Sequence, residues 1–262
     1  MASTGTPKVS DPRPFGVAGR QAVRDLVFSP DGKASSVPAG HVLAAPQTRI
    51  VVHEDFLNLA ATSLFEPWAT ADTSAAGAPT LAHVANALNG EFNLAFAATD
   101  EVENLTLYWG DSLHIDPTKN PTIEFGIKHS FSGANHSAVA RSAWGLASAQ
   151  NDVLDTVAQH AWFRLDGANL DLLWEVDDAA TDDDDNDTGI NVVKDAYAIY
   201  RIDIHELTGI KFFHDNVLVA TSNTVALTAS HKLQPFIQMT KDSGTTTDSL
   251  LIDYVTVSWD RA

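Results

Sequence analysis

The chain has 262 residues, 44% of them hydrophobic, which suits a sizeable core, and all-β sandwiches of this length are commonly one domain. Its formal net charge of −18, with no Lys/Arg-rich stretch, argues against nucleic acid as the main partner, because phosphate backbones select basic patches. The absence of cysteine excludes disulfides, thiolate nucleophiles and zinc–thiolate sites, and no apolar run approaches the roughly 18 residues of a membrane-spanning helix.

Residues 1–48 differ from the rest. They hold Pro7, Pro12, Pro14, Pro30, Pro38 and Pro46, scattered glycines and no sustained periodicity, and so read as an extended arm. Lys8, Arg13, Arg20 and Arg24 make this the least acidic part of the chain.

From residue 49 the pattern changes to short strands. Arg49–Phe56 is β-branched, and Gly90–Ala98 alternates with Phe92, Leu94 and Phe96 on one face. Leu105, Leu107 and Trp109 share a face, as do Ile123, Phe125 and Ile127. The run "HAWFRLDGANLDLLWEV" reads as two strands joined at an Asp-Gly turn. "AYAIYRIDIHELTGIKFFHDNVLVATS", "LQPFIQMTK" and "LLIDYVTVSWDR" continue as strands, while "APTLAHVANALNG" (78–90) is the one helical candidate. About ten strands without βαβ alternation predict an antiparallel β-sandwich or jelly roll over 49–262.

Among candidate sites, "EVDDAATDDDDNDTG" (175–189) concentrates acid. An EF-hand loop needs Gly at position 6 and Glu at position 12. Counting from Asp182 puts Asp187 and Val193 there; counting from Asp183 puts Thr188 and Lys194 there. The run is therefore expected to be a solvated hairpin tip that discourages edge pairing. A looser calcium arrangement at Asp183, Asp185 and Asp187 is the metal reading left open, and no other cofactor is expected. A sandwich glucanase needs Glu-x-Asp-x-x-Glu on one strand face; Glu175 and Asp177 fit, but Ala180 stands where the last acid should be, so no catalytic residue is assigned. His129 and His136 read as surface loop positions rather than metal ligands. Trp68 and Trp144, placed in loops, are the candidates for glycan stacking.

The segments "GEFNLAFAATDEVENLTLYWGDSLHIDPTKNPTIEFGIK" and "AWFRLDG…LLWEVDDAATDDDDNDTG", with "YRIDIHELTGIKFFHDNVLVATS…LQPFIQMTKDSGTTTDSLLIDYVTVSWDR", resemble tailed-phage virion proteins built on a concanavalin A-like jelly roll. The resemblance covers roughly 50–262. It implies a non-enzymatic capsid decoration (cement) protein, assembled in the host cytoplasm into the virion, bound to the major capsid protein and self-associated as a trimer or dimer. Arg13, Arg20 and Arg24 would then be capsid contacts, with neither nucleic acid nor membrane as a partner. The alternative is a carbohydrate-binding module or a receptor-binding fibre or tail domain of a virion.

Overall fold

The computed structural model describes residues 48–57, 64 and 67–261. The arm and its Arg13, Arg20 and Arg24 lie outside these. Fifteen strands occur among the described residues: β1 Arg49–Glu54, β2 Ala69–Asp72, β3 Thr80–His83, β4 Phe92–Ala95, β5 Glu103–Tyr108, β6 Thr122–Ser130, β7 Ala140–Ala147 and β8 His160–Asp166. The second half supplies β9 Asp171–Asp177, β10 Asp182–Asn191, β11 Tyr197–Asp203, β12 Ile210–His214, β13 Val217–Ser222, β14 Gln234–Lys241 and β15 Ser249–Asp260.

All pairings are antiparallel. One sheet has eight strands in the order β13-β12-β11-β6-β15-β4-β3, with β1 also paired to β15; the other has seven, β10-β9-β8-β7-β14-β5-β2. The predicted alternation is seen directly: Phe92, Leu94, Phe96, Leu105, Leu107, Trp109, Ile123, Phe125 and Ile127 are all buried in one core between the sheets. No described helix is long and apolar enough to cross a membrane.

Three expectations are corrected. Residues 78–90 form strand β3 and turns, not a helix, because Thr80–His83 is completed by its pairing with β4. Residues 140–147 form β7, although Ala, Ser and Gly have low strand propensity; pairing on both sides supplies what propensity lacks. The acidic run is not a tip. Asp182–Asn191 is the edge strand β10, and only 178–181 turn. Register shifts after Asp183 and Asp187, with Asp185 and Gly189 at positive φ (49° and 73°), bend it. An edge this charged and bulged resists pairing with another chain.

The tryptophans offered as stacking platforms are core. Trp68 is 6% exposed and packs edge-on against Trp109, while Trp144 is 0% exposed and stacks on Phe163, so no sugar ring reaches either. His129 and His136, expected on the surface, are also buried.

Candidate functional site

The outer face of the seven-stranded sheet carries the polar chemistry. Antiparallel register sets its side chains out in rows across five strands. One row runs Tyr108–Phe236–Gly145–Trp162–Glu175, each residue the direct partner of the next. The row beside it runs Thr106–Gln238–Ala143–Arg164–Leu173, and the next Asn104–Thr240–Arg141–Asp166. On the other flank lies Gln234–Ala147–His160–Asp177–Asp182. Period-2 alternation explains this composition: Ala161, Phe163 and Leu165 of β8 enter the core, so His160, Trp162 and Arg164 must face out.

The aromatic row is tightly built. Trp162 stacks on His160 at 3.5 Å between ring centroids and lies nearly parallel to Phe236 at 5.8 Å. Gly145 permits this, since a Cβ there would stand 2.2 Å from the Ala161 carbonyl and 2.6 Å from the Trp162 Cα.

Glu175 ends the row, 1% exposed, and both its oxygens are engaged. Oε1 lies 3.0 Å from His160 Nε2, while Oε2 accepts from Trp162 Nε1 at 2.9 Å and from Arg164 Nη1 at 2.9 Å. His160 Nδ1 meets the Val157 carbonyl at 3.2 Å, so both ring nitrogens face acceptors only. Burial acts to raise the Glu175 pKa, but the hydrogen bonds from His160 and Trp162 and the Arg164 charge hold it at about 2.

Arg164, 3% exposed, is the centre of an acidic wall. It donates to Asp155 at 2.8 Å and Asp166 at 2.8 Å, with Asp184 at 3.8 Å and Asp185 at 3.6 Å. Asp182, on the β10 edge, moves the other way from Glu175. Partial burial, and then the charges of Glu175, Asp184 and Asp177, push its carboxyl up to about 6.

The acidic run thus joins the site through Asp182, Asp184 and Asp185; of the three residues singled out for calcium, only Asp185 is there. Asp183 accepts from Ser222 Oγ at 2.9 Å and Thr224 Oγ1 at 2.6 Å, tying the edges of the two sheets together. Asp185 stands by Arg164, and Asp187 accepts from the Gly189 N–H. Among the described residues the side chains close enough to share a cation are His160, Glu175 and Asp182, or Glu175, Asp184 and Asp185. Sequence spacing found Glu175 and Asp177 and missed His160, Trp162 and Arg164. The signal available was the polar phase of "HAWFRLD", opposite its apolar phase.

The face is partly open. A groove of about 150 Å³ runs past Asn104, Thr240, Arg141 and Asp242, bounded by Val153 and Asp155. Beyond it residues 149–158 cover the aromatic row.

No family model matches this sequence, and no curated protein matches it. Solved structures do share the fold. A protein of unknown function from Shewanella oneidensis MR-1 aligns at TM-score 0.60 and 10% identity, over 97% of this chain and 99% of its own. The Emp47p carbohydrate recognition domain aligns at TM-score 0.53 and 10% identity, over 79% and 94%. The β-glucanase of Bacillus licheniformis aligns at TM-score 0.52 and 13% identity, over 81% and 98%. The fold is a concanavalin A-like jelly roll. The expectation of a non-enzyme is corrected by these structures, because the architecture is one that a glucanase also uses. None of the three is described as a virion protein, so the phage part of the sequence resemblance gains no support from them.

Proposed function

We propose that this protein is a carbohydrate-recognition domain that binds saccharide on the outer face of the seven-stranded sheet. The observation that carries the reading is the row Tyr108–Phe236–Gly145–Trp162–Glu175, an aromatic strip ending in a carboxylate that is ionised and fixed by three donors. Trp162 and Phe236 are buried beneath Leu154 and Val157, so the strip meets a pyranose only where that segment gives way; it then offers ring faces to the apolar face of the sugar, and flanking amide, guanidinium and carboxylate groups to its hydroxyls. The fold is one that a carbohydrate recognition domain and a β-glucanase share, which supports the reading without deciding it. A receptor-binding fibre or tail domain, the virion setting implied by the sequence resemblance, is one place where such recognition would serve.

The test is binding to immobilised neutral glycans, followed by calorimetry on any that bind. Saturable binding that weakens at least about tenfold in Arg141→Ala is expected, because Arg141 lines the open groove and lies outside the core. Saturable binding to no glycan at all rejects the reading.

One observation favours hydrolysis as a second reading. Glu175 and Asp182 each place a carboxylate oxygen within 4.8 Å of the other, and their environments drive their pKa values apart. Retaining glycosidases use two carboxyl groups about 5–5.5 Å apart, one ionised and one protonated. Release of reducing ends that disappears in Asp182→Asn, with glycan binding retained, is the result this reading requires.

A further inference from the structure

Residues 149–158 join β7 to β8 across the outer face, and only two of them, Leu154 and Val157, are buried. Both rest on the aromatic row. With Ala143, Ala147, Trp162 and Phe236 they form an apolar cluster separate from the sandwich core, with Tyr108 packed beside it. Gln150 and Asp152 are half-buried, and the rest of the segment is exposed.

The base of this segment is tied into the sheet ladder, whereas its tip is held by scattered single contacts. Ser148 N–H donates to the Gln159 carbonyl at 2.8 Å, continuing the β7–β8 ladder. The Gln159 side chain donates to the carbonyls of Thr228 and His231 and accepts from Thr228 N–H. The tip has four outside polar contacts: Gln150 N–H to Asp111 Oδ1 at 2.8 Å, Gln238 Nε2 to the Asn151 carbonyl at 3.0 Å, Arg164 Nη1 to Asp155 at 2.8 Å, and His160 Nδ1 to the Val157 carbonyl at 3.2 Å. The Asp155 side chain is 62% exposed, so water competes for this ion pair although Arg164 itself is buried. Segments with few buried apolar contacts open at low free energy.

Beneath the tip, polar atoms are left without partners. Thr106 and Gln238 face each other on β5 and β14, and both are fully buried. Thr106 Oγ1 and Gln238 Oε1 nonetheless have no hydrogen-bond partner. Buried polar groups are nearly always paired, so unpaired ones lining a covered face point to a ligand that pairs them.

The geometry points to residues 149–158 as a displaceable, autoinhibitory cover whose Leu154 and Val157 stand where a saccharide ring stacks on Trp162 and Phe236. This rests on the carbohydrate reading above and adds its regulation and its ligand class. With the cover seated, the site is closed. When it swings about the Ser148–Gln159 base, a pyranose replaces the two apolar plugs, and its hydroxyls pair with Thr106 Oγ1 and Gln238 Oε1. The ligand class follows from charge. Glu175, Asp166, Asp182, Asp184 and Asp185 crowd one end of the opened slot, against Arg164 and Arg141. Uronate or sulfated chains are repelled there, and neutral pyranosides are accepted. Because only the open fraction binds, apparent affinity falls by that fraction, and removing the cover restores it.

The experiment compares the full chain with two variants, using neutral gluco-oligosaccharides and hyaluronan oligosaccharides as probes. In the first variant residues 149–158 are replaced by Asn-Gly, a two-residue turn that suits the Ser148–Gln159 pair. The second is Asp155→Asn, which unlatches the tip. The excised variant is expected to bind a neutral oligosaccharide at least about tenfold more tightly than wild type, Asp155→Asn about two- to fivefold, and neither to bind hyaluronan. Amide exchange in the wild type at 150–157 is expected to speed up when the neutral oligosaccharide binds, since the segment is displaced. If the wild type binds and the excised variant, folded by its cooperative melt, binds no tighter, the cover is refuted while the carbohydrate reading stands. Should the excised variant not fold, protection rather than deprotection of 150–157 on binding refutes it equally. If neither wild type nor variants bind any probe, the carbohydrate reading itself fails.

Discussion

Arg164 Nη1 lies 2.9 Å from Glu175 Oε2, two opposite charges sealed from water at 3% and 1% exposure on neighbouring strands β8 and β9. Taking either partner away strands the other in a poorly solvated place. Arg164→Met leaves Glu175 with His160 and Trp162 alone and is expected to cost about 3–5 kcal/mol in urea unfolding. Glu175→Gln is milder, about 2–3 kcal/mol, because Asp155 and Asp166 still neutralise the guanidinium. Losses below about 0.5 kcal/mol in both would show that the pair does not hold the face together.

Acid titration separates the two carboxylates of the site. Glu175 has its pKa lowered to about 2, so its stabilisation is complete above the unfolded value near 4.5 and is lost as pH falls from there towards 2. Asp182 runs the opposite way. Its pKa is raised to about 6, so ionised Asp182 opposes folding at neutral pH, and that opposition vanishes as pH falls from about 6 to below 4. Asp182→Asn should therefore be more stable than wild type at pH 7, with the difference closing by pH 4. A gap that is constant across this range, in melts followed by circular dichroism, would refute the assignment.

The sandwich was legible because its core strands alternate: Phe92, Leu94 and Phe96, or Ile123, Phe125 and Ile127, can bury only one face of a strand. β7 was hidden because "ARSAWGLA" is rich in small residues, and the reason for them is tertiary. Gly145 leaves room for Trp162, which no local pattern announces. Glu175 was visible by spacing, but its partners His160, Trp162 and Arg164 come from another strand and meet it only through register. The acidic composition marks the run as exposed but not as a strand, since its fit at the sheet edge depends on bulges after Asp183 and Asp187 that charge density does not reveal. The cover formed by 149–158 has no sequence signature, as scattered apolar residues in a loop look ordinary and nothing local separates buried Leu154 and Val157 from exposed Val153.

His129 is a buried imidazole with both nitrogens unpartnered, 4.8 Å from the Trp144 ring. Burial, with the nearby His136 and His214, lowers its pKa to about 3. The folded state thus keeps it neutral while the unfolded chain takes up a proton near pH 6.5. Stability from this group is complete above that value and drains away as pH falls towards 3. His129→Leu should remove this share of the acid sensitivity and raise the melting temperature more at pH 4.5 than at pH 7.5. An equal change at both pH values would mean that the imidazole is not the acid-labile element.

Gly145 sits in the centre of the seven-stranded sheet, between β14 and β8, where a methyl group would strike main-chain atoms of the neighbouring strand. The Ala161 carbonyl and the Trp162 Cα cannot rotate away, as the end of a flexible side chain could. Gly145→Ala must therefore push β8 outward, at a cost of about 1–3 kcal/mol typical of overpacking. The displacement would also tilt Trp162 away from Phe236 and loosen Leu154 and Val157 above them. Lower stability on urea unfolding, with faster amide exchange at 150–157 than at β15 under native conditions, is the expected pair of results. Uniform acceleration across the whole chain would instead show only global destabilisation, with no local link between Gly145 and the cover.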